Sequence, residues 1–321
     1  LADVVYSLSK ELVKLEREVI IVLPYYGNIK GTIKQGVELV CSYYVRMSWR
    51  NAEARIFKTT IDGIIYYLID NEQYFNRGHL YGDYDDGERF AFFTLAAKEL
   101  FSHINFRPHI IHIHDWQAGM LPCLIKEEKP ISRYFEKTKF VLTIHNPAFQ
   151  GLYSKSVLGD LYGLDDSLYD TGIVRFDGQV STLKSAIIYA DKITTVSPTH
   201  RNELLSPEGS MGLWSVMRLR EWDFAGFLNG IDIDEFNPNN PAKIAYPYTI
   251  RNRKSGKNKN KQKFLLEKGL KNPTAPLFGL VSRLTWQKGV DILLPVCYEL
   301  VNRGANLAIL GSGEYNVEIE L

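Results

Sequence analysis

A repeating order of short apolar runs and amphipathic segments most constrains what this chain can become. Val19–Leu23, His109–His114, Phe140–Ile144, Lys192–Val196 and Gly226–Leu228 read as strands, with helices predicted at Gln117–Lys126 and Thr182–Ala190. Strands separated by helices pair in parallel through right-handed crossovers, which predicts an α/β, doubly wound sheet. Ligands bind such sheets beyond the carboxyl ends of the strands. Polar residues collect there: His114-Asp115-Trp116, His145-Asn146, Ser197-Pro198 and Asn229-Gly230.

Three stretches depart from this order. Residues 1–16 place Leu1, Val4, Val5, Leu8, Leu12 and Leu15 at helical spacing, so the chain opens on a helix with no strand before it. That implies a fragment lacking a first strand and its loop. Gly36–Arg46, Ala54–Ile61 and Gly63–Ile69 are β-rich runs divided by short polar breaks, an antiparallel excursion, and Asp86–Ser102 then returns to helix. Asn237-Pro238-Asn239-Asn240-Pro241 and Tyr246-Pro247 interrupt any regular element, which marks a domain boundary. Arg251–Lys263 follows with seven cations and no acid, read first as a solvated helix start or mobile linker face and second as a phosphate-binding or glucan-facing surface. Pro276–Val281, Val290–Val301 and Leu307–Leu310 make one further strand–helix–strand unit. It is too small to bury its own apolar faces, so a second domain is expected to be incomplete. The predicted layout is residues 1–240, a linker over 241–262, and the first part of a second domain over 263–321.

The bulk composition excludes several classes. A formal net charge of +1 gives no global attraction to nucleic acid or an anionic membrane. No apolar run approaches the ~20 residues of a membrane-spanning helix. Cys41, Cys123 and Cys297 are odd in number and far apart, so buried thiols in a reducing compartment are expected rather than a disulfide framework. There is no Walker A loop, CxxC pair or GxSxG elbow.

Several residues invite chemistry. In Pro276–Asp291 an apolar run ends at Val281, and Arg283 and Lys288 flank a turn that feeds a helix predicted to start near Lys288. Free backbone N–H groups, the helix dipole and two cations suit an anion; a plain turn with two solvated cations is the other reading. His112 and His114 share one strand face. They are open to three readings: the start of a metal site, a packed His beside an Asp115 that accepts from sugar hydroxyls, or an Asp115 that caps the helix near Gln117. His145 can donate to a substrate oxygen or serve structurally. Tyr81–Gly87 combines aromatic residues, acids and glycine, which suits either a carbohydrate face or a turn with a helix cap. Gly311-Ser312-Gly313 after a strand could admit a close nucleotide approach, though it is short of a full GxGxxG.

Taken together the segments resemble one family. The matching pieces are Leu-Ala-Asp-Val-Val at 1–5, Tyr-Asp-Asp-Gly-Glu-Arg-Phe at 84–90, His-Ile-His-Asp-Trp at 112–116 and Thr-Ile-His-Asn-Pro-Ala-Phe-Gln-Gly at 143–151. They continue with Ala-Asp-Lys-Ile-Thr-Thr-Val-Ser-Pro at 190–198, Leu-Asn-Gly-Ile-Asp at 228–232, Val-Ser-Arg-Leu-Thr-Trp-Gln-Lys-Gly-Val-Asp at 281–291 and Leu-Gly-Ser-Gly at 310–313. In this order they resemble the bacterial glycogen synthase and plant starch synthase family of retaining glucosyltransferases. The resemblance implies a GT-B fold, two Rossmann-like domains facing a cleft, the C-terminal one incomplete here.

It further implies glucose transfer from ADP-glucose, with UDP-glucose as the lesser alternative, to the non-reducing end of an α-1,4-glucan. It implies no metal or other cofactor, no nucleic-acid or membrane partner, and a bacterial cytoplasmic protein (plastid if from a plant). Arg283 and Lys288 match the pair that binds the donor diphosphate, and His145 matches the His beside the transferred sugar. Asp115 matches an active-site acid. Ser282, Gly311, Gly313 and Asn229 fall at nucleotide-sugar contacts, and Asp3, Tyr81, Trp116 and Asn146 at sugar or acceptor contacts. The alternatives are a non-catalytic glucan-binding relative and a metal-dependent hydrolase using His112 and His114. Departures exist: the family's Lys-x-Gly-Gly loop and its active-site Glu segment are missing, Gln117 replaces a frequent His, and Thr182–Ala186 only approximates a family motif. This chain alone is expected to be inactive, and the full gene product to be the synthase.

Overall fold

The computed structural model describes residues 1–32, 36–270 and 273–321. Within it the chain divides into two compact units, Leu1–Gly230 and Ile231–Leu321.

The first unit opens on helix α1 (Ala2–Lys14), which leads into strand β1 (Ile20–Pro24). Strands β2 (Glu38–Met47), β3 (Arg50–Ile61) and β4 (Ile64–Asp70) form the antiparallel meander predicted from the β-rich runs. The β3–β4 hairpin closes on Asp62-Gly63, both at positive φ, the two-residue geometry that matches strand twist. β1 pairs in parallel with β4, so the meander is not a detached excursion: the four strands make one mixed sheet in the order β1-β4-β3-β2.

Helix α2 (Asp86–His103) follows, buried along most of its length. Strand β5 (Ile110–His114), helix α3 (Leu121–Glu127), strand β6 (Lys139–Ile144), helix α4 (Thr182–Tyr189), strand β7 (Lys192–Thr195), helix α5 (Pro198–Leu204) and strand β8 (Phe224–Gly226) then build the predicted alternation. Their sheet is wholly parallel, in the order β8-β7-β6-β5. Two boundaries move: α3 starts after a turn at 117–120, and the last strand lies at 224–226 instead of 226–228. Ile111 and Ile113 of β5, Phe140, Leu142 and Ile144 of β6, and Ile193 of β7 enter one core. The period of two therefore sends His112 and His114 to the opposite face of β5.

The second unit contains helix α6 (Arg253–Glu267), strand β9 (Leu277–Val281), helix α7 (Val290–Asn302) and strand β10 (Asn306–Leu310). β9 and β10 pair in parallel, Leu277 opposite Asn306 through Val281 opposite Leu310. The basic run is helical, and only Gly256 and Leu265 of α6 are buried, so its cations form a solvated surface. The core of this unit is small, Leu284, Val290 and Val317 with Leu280, Leu294 and Ile309 against them, while Ile292 and Tyr298 of α7 stay exposed. Among the described residues no helix is long and apolar enough to cross a membrane.

Candidate functional site

In the first unit the parallel register decides what meets at the sheet's carboxyl end. Ile113 pairs with Leu142 and His114 with Thr143, so Asp115, next after His114, and His145, next after the strand end at Ile144, leave neighbouring strands close together. Asp115 sits in the left-handed region at φ 55°, and its backbone N–H donates to Thr143 O at 3.0 Å. That bend turns its carboxylate under the next loop. Asp115 Oδ1 accepts from the backbone N–H of His145 at 2.7 Å and of Asn146 at 3.3 Å. The expected cap of a helix near Gln117 is not what the carboxylate does, because the free N–H groups of the 145–146 turn lie closer to it.

Three imidazoles are gathered here. His112 and His114 stack with ring centroids 4.2 Å apart, and His114 Nδ1 lies 3.0 Å from His145 Nε2. His112 Nε2 meets Thr143 Oγ1 at 2.6 Å, and Thr143 Oγ1 meets Thr194 Oγ1 at 2.6 Å. Nothing in the sequence spacing marks these two threonines; only the register of β5, β6 and β7 brings them in. Burial, and secondarily the chain's amino terminus, lowers His145 to about 4. Burial and then His145 lower His112 to about 4, although its ring keeps an exposed edge. His114 falls to about 2 through burial, with its two neighbours and the amino terminus adding to it. All three rings are therefore neutral near pH 7. Asp115 moves the other way: burial raises its carboxyl, opposed by the two backbone hydrogen bonds.

The loop before α2 reaches the same region through Tyr81, whose ring meets Phe149 edge-on at 6.2 Å. Arg89, fully buried, orders that loop: Nε donates to Tyr74 O at 2.8 Å, Nη1 to Asp83 at 2.7 Å and to Asp86, and Nη2 to Leu80 O at 3.3 Å. Phe149 and Arg89 were not among the expected site residues, although Arg89 stands one helical turn after Asp86.

In the second unit β9 runs into the turn that carries Ser282, Arg283 and Lys288. The turn is a short 3-10 segment, Trp286–Lys288, and Gly289 at φ 70° caps α7, so the helix begins at Val290, after Lys288 instead of at it. Arg283 and Lys288 are exposed, and among the described residues neither side chain has a hydrogen-bond or ion-pair partner. Two cations that the fold leaves unpaired are available to an anion.

The chain's first 219 residues match the family model described as the starch synthase catalytic domain. The chain belongs to the starch synthase catalytic-domain family. It is 40% identical to a glycogen synthase of Streptococcus uberis over 319 residues, 99% of this chain and 66% of that relative. A glycogen synthase of Streptococcus agalactiae is 39% identical over 319 residues, 99% of this chain and 67% of the relative. Among solved structures, the catalytic domain of starch synthase IV from Arabidopsis thaliana, bound to ADP and acarbose, superposes with a TM-score of 0.90. It shares 30% identity and covers 99% of this chain and 66% of its own. The chain thus spans about two thirds of the length of these starch and glycogen synthases. The α/β, GT-B fold class expected from the sequence is that of this family.

Within the family frame, the fold brings Asp115, His145 and Asn146 together and sets Tyr81 beside their loop. Asn146 Oδ1 accepts from Ala148 N at 3.0 Å and shapes the turn. Trp116 is a correction. Only 7% exposed, it packs edge-on to Phe90 at 4.9 Å and accepts at its carbonyl from Thr182 Oγ1, so it belongs to the core and not to a sugar-facing surface. Asn229 lies exposed in the loop after β8 with no side-chain hydrogen bond among the described residues. Gly311 and Gly313 also have a packing reason of their own. A Cβ on Gly311 would sit 2.0 Å from Ser282 O, and one on Gly313 2.1 Å from Leu284 O, so their missing side chains make room for the protein's own backbone. The relatives are glycogen and starch synthases, so the hydrolase built on His112 and His114 is not favoured.

The neutral imidazoles carry a stability consequence. Their folded values lie below the ordinary 6.5, so between pH 6.5 and 4 the unfolded chain binds protons that the native state refuses. Stability is complete above pH 6.5 and is lost as the pH falls toward 4. Each ring contributes about 2 kcal/mol between pH 7 and pH 5, so counting only His114 and His145, urea unfolding of the first unit should lose up to about 4 kcal/mol over that range. A flat unfolding free energy across that range would mean the rings are solvated.

Proposed function

We propose that the full gene product carrying this sequence is a glycogen or starch synthase. It transfers glucose from ADP-glucose to the non-reducing 4-hydroxyl of an α-1,4-glucan with retention of configuration. What supports this most is the 40% identity to glycogen synthase over nearly the whole chain. The choice of adenine nucleotide follows the ADP bound by starch synthase IV.

In this reading the bond from glucose C1 to the diphosphate oxygen breaks and a bond from C1 to the acceptor oxygen forms. The acceptor proton leaves with the diphosphate. Negative charge grows on the leaving group, and exposed, unpaired Arg283 and Lys288 stabilise it without a metal ion. Ser282, Asn229 and the backbone about Gly311 and Gly313 contribute to nucleotide-sugar binding. Neutral His145 contacts the transferred sugar, where a cationic ring would oppose the oxocarbenium-like state. Asp115 fixes the 145–146 backbone and lies beside the reacting sugar, with Asp3, Tyr81 and Asn146 around it. The cytoplasm is the fitting compartment.

The test is incorporation of labelled glucose into glycogen by the full gene product, with ADP-glucose and UDP-glucose offered separately. Incorporation from ADP-glucose, and much less from UDP-glucose, is expected. Tight glycogen binding with neither incorporation nor donor binding by calorimetry would make the protein a glucan-binding relative instead.

A further inference from the structure

Two of the three clustered imidazoles, His112 and His114, have no part in the reaction as proposed. His114 is the one in hydrogen-bond contact with His145. His145 Nε2 is engaged 3.0 Å from His114 Nδ1, and its Nδ1 has no partner among the described residues. His145 is held from its backbone side as well, by Asp115 Oδ1 on its N–H at 2.7 Å. His114 is braced in turn, stacked on His112, whose Nε2 is tied at 2.6 Å to Thr143 and through it to Thr194. A ring fixed at its backbone and at one nitrogen can offer only the other nitrogen to a ligand.

We infer that His114 is a positioning residue for His145. It holds the ring with Nε2 inward, so that Nδ1 is the nitrogen presented to the transferred sugar. The inference rests on the sugar-facing role proposed for His145. One proton lies in the His114–His145 bond, so the two neutral rings adopt complementary tautomers and remain paired whichever carries it. Losing His114 frees the ring to rotate and orphans a buried nitrogen, which misplaces the contact in the transition state while donor binding by other residues continues.

The experiment is a double-mutant cycle in the full gene product, reading kcat and KM for ADP-glucose in His114→Ala, His145→Ala and the double variant. His114→Ala is expected to lower kcat by about 10–100-fold with little change in KM, the range known for residues that orient a metal-ligating histidine. In the His145→Ala background the same change is expected to do nothing further, since the residue acts through a ring no longer there. A purely structural role would lower both backgrounds alike, and that result, or an unchanged kcat in His114→Ala, overturns the inference. His114→Asn, which can place an amide near the Nδ1 position, should recover most of the rate; His114→Gln, which places it near Nε2, should not. This pair carries the test should His114→Ala fail to fold, and equal rates in the two would overturn the inference. If His145→Ala keeps the parent kcat, the role proposed for His145 is what fails, and the two failures are thereby told apart.

Discussion

Arg89→Ala is expected to remove about 3–5 kcal/mol of stability from the first unit, the range for breaking a buried ion pair from one side. The guanidinium is fully buried and bridges Asp83, Asp86 and the carbonyls of Tyr74 and Leu80. Its removal leaves Asp86, itself buried, facing an empty space, and releases the loop that carries Tyr81. Asp86 Oδ2 also accepts from Gly82 N at 2.6 Å, so the loop loses its anchor at more than one place. Urea unfolding at pH 7 measures the effect, and Arg89→Lys should be intermediate because one ammonium cannot span partners arranged for a fork. A loss below about 1 kcal/mol would mean that water replaces the guanidinium without penalty, as at exposed pairs.

The second large effect is expected in turnover. Arg283→Ala and Lys288→Ala should each lower kcat of the full gene product by about 10²–10³-fold, as when one preorganised donor to a developing anion is removed. Both side chains are exposed and unpaired among the described residues, so stability should barely move, and the thermal midpoints serve as the control. Parent-like rates in both variants would take the diphosphate away from this turn. A rise in KM with kcat intact would assign the pair to ground-state binding alone.

The parallel sheet was legible in the sequence because alternating runs of helical and strand period leave few topologies. The His112–His114 face was legible because a strand repeats every second residue. What spacing could not convey was the partner of each polar group. Asp115 is two residues from the start of a predicted helix, and a cap is the local solution. Its real partners, His145 N–H and Asn146 N–H, are brought to it by the β5–β6 register. Trp116 stands next to a polar strand end, which suggests exposure. Phe90 from α2 and Thr182 from α4 enclose it, and neither contact leaves a periodic signal. The pairing of β1 with β4 was hidden for the same reason, since an apolar strand does not declare which edge it joins.

Gly311 and Gly313 bear on how this turn can change. Main-chain bonds hold the segment from Ser282 to Leu284, Ser282 N to Leu310 O at 3.2 Å, Leu284 N to Ser312 O at 2.9 Å and Glu314 N to Leu284 O at 2.8 Å, and the Leu284 side chain packs into the core beneath it. The side chains of Arg283 and Lys288 take no part in those bonds. The loop's shape is therefore inherited separately from its chemistry. Exchanging the outward residues would change the charge the turn presents without rebuilding the scaffold, whereas a single methyl group added at either glycine would dismantle it.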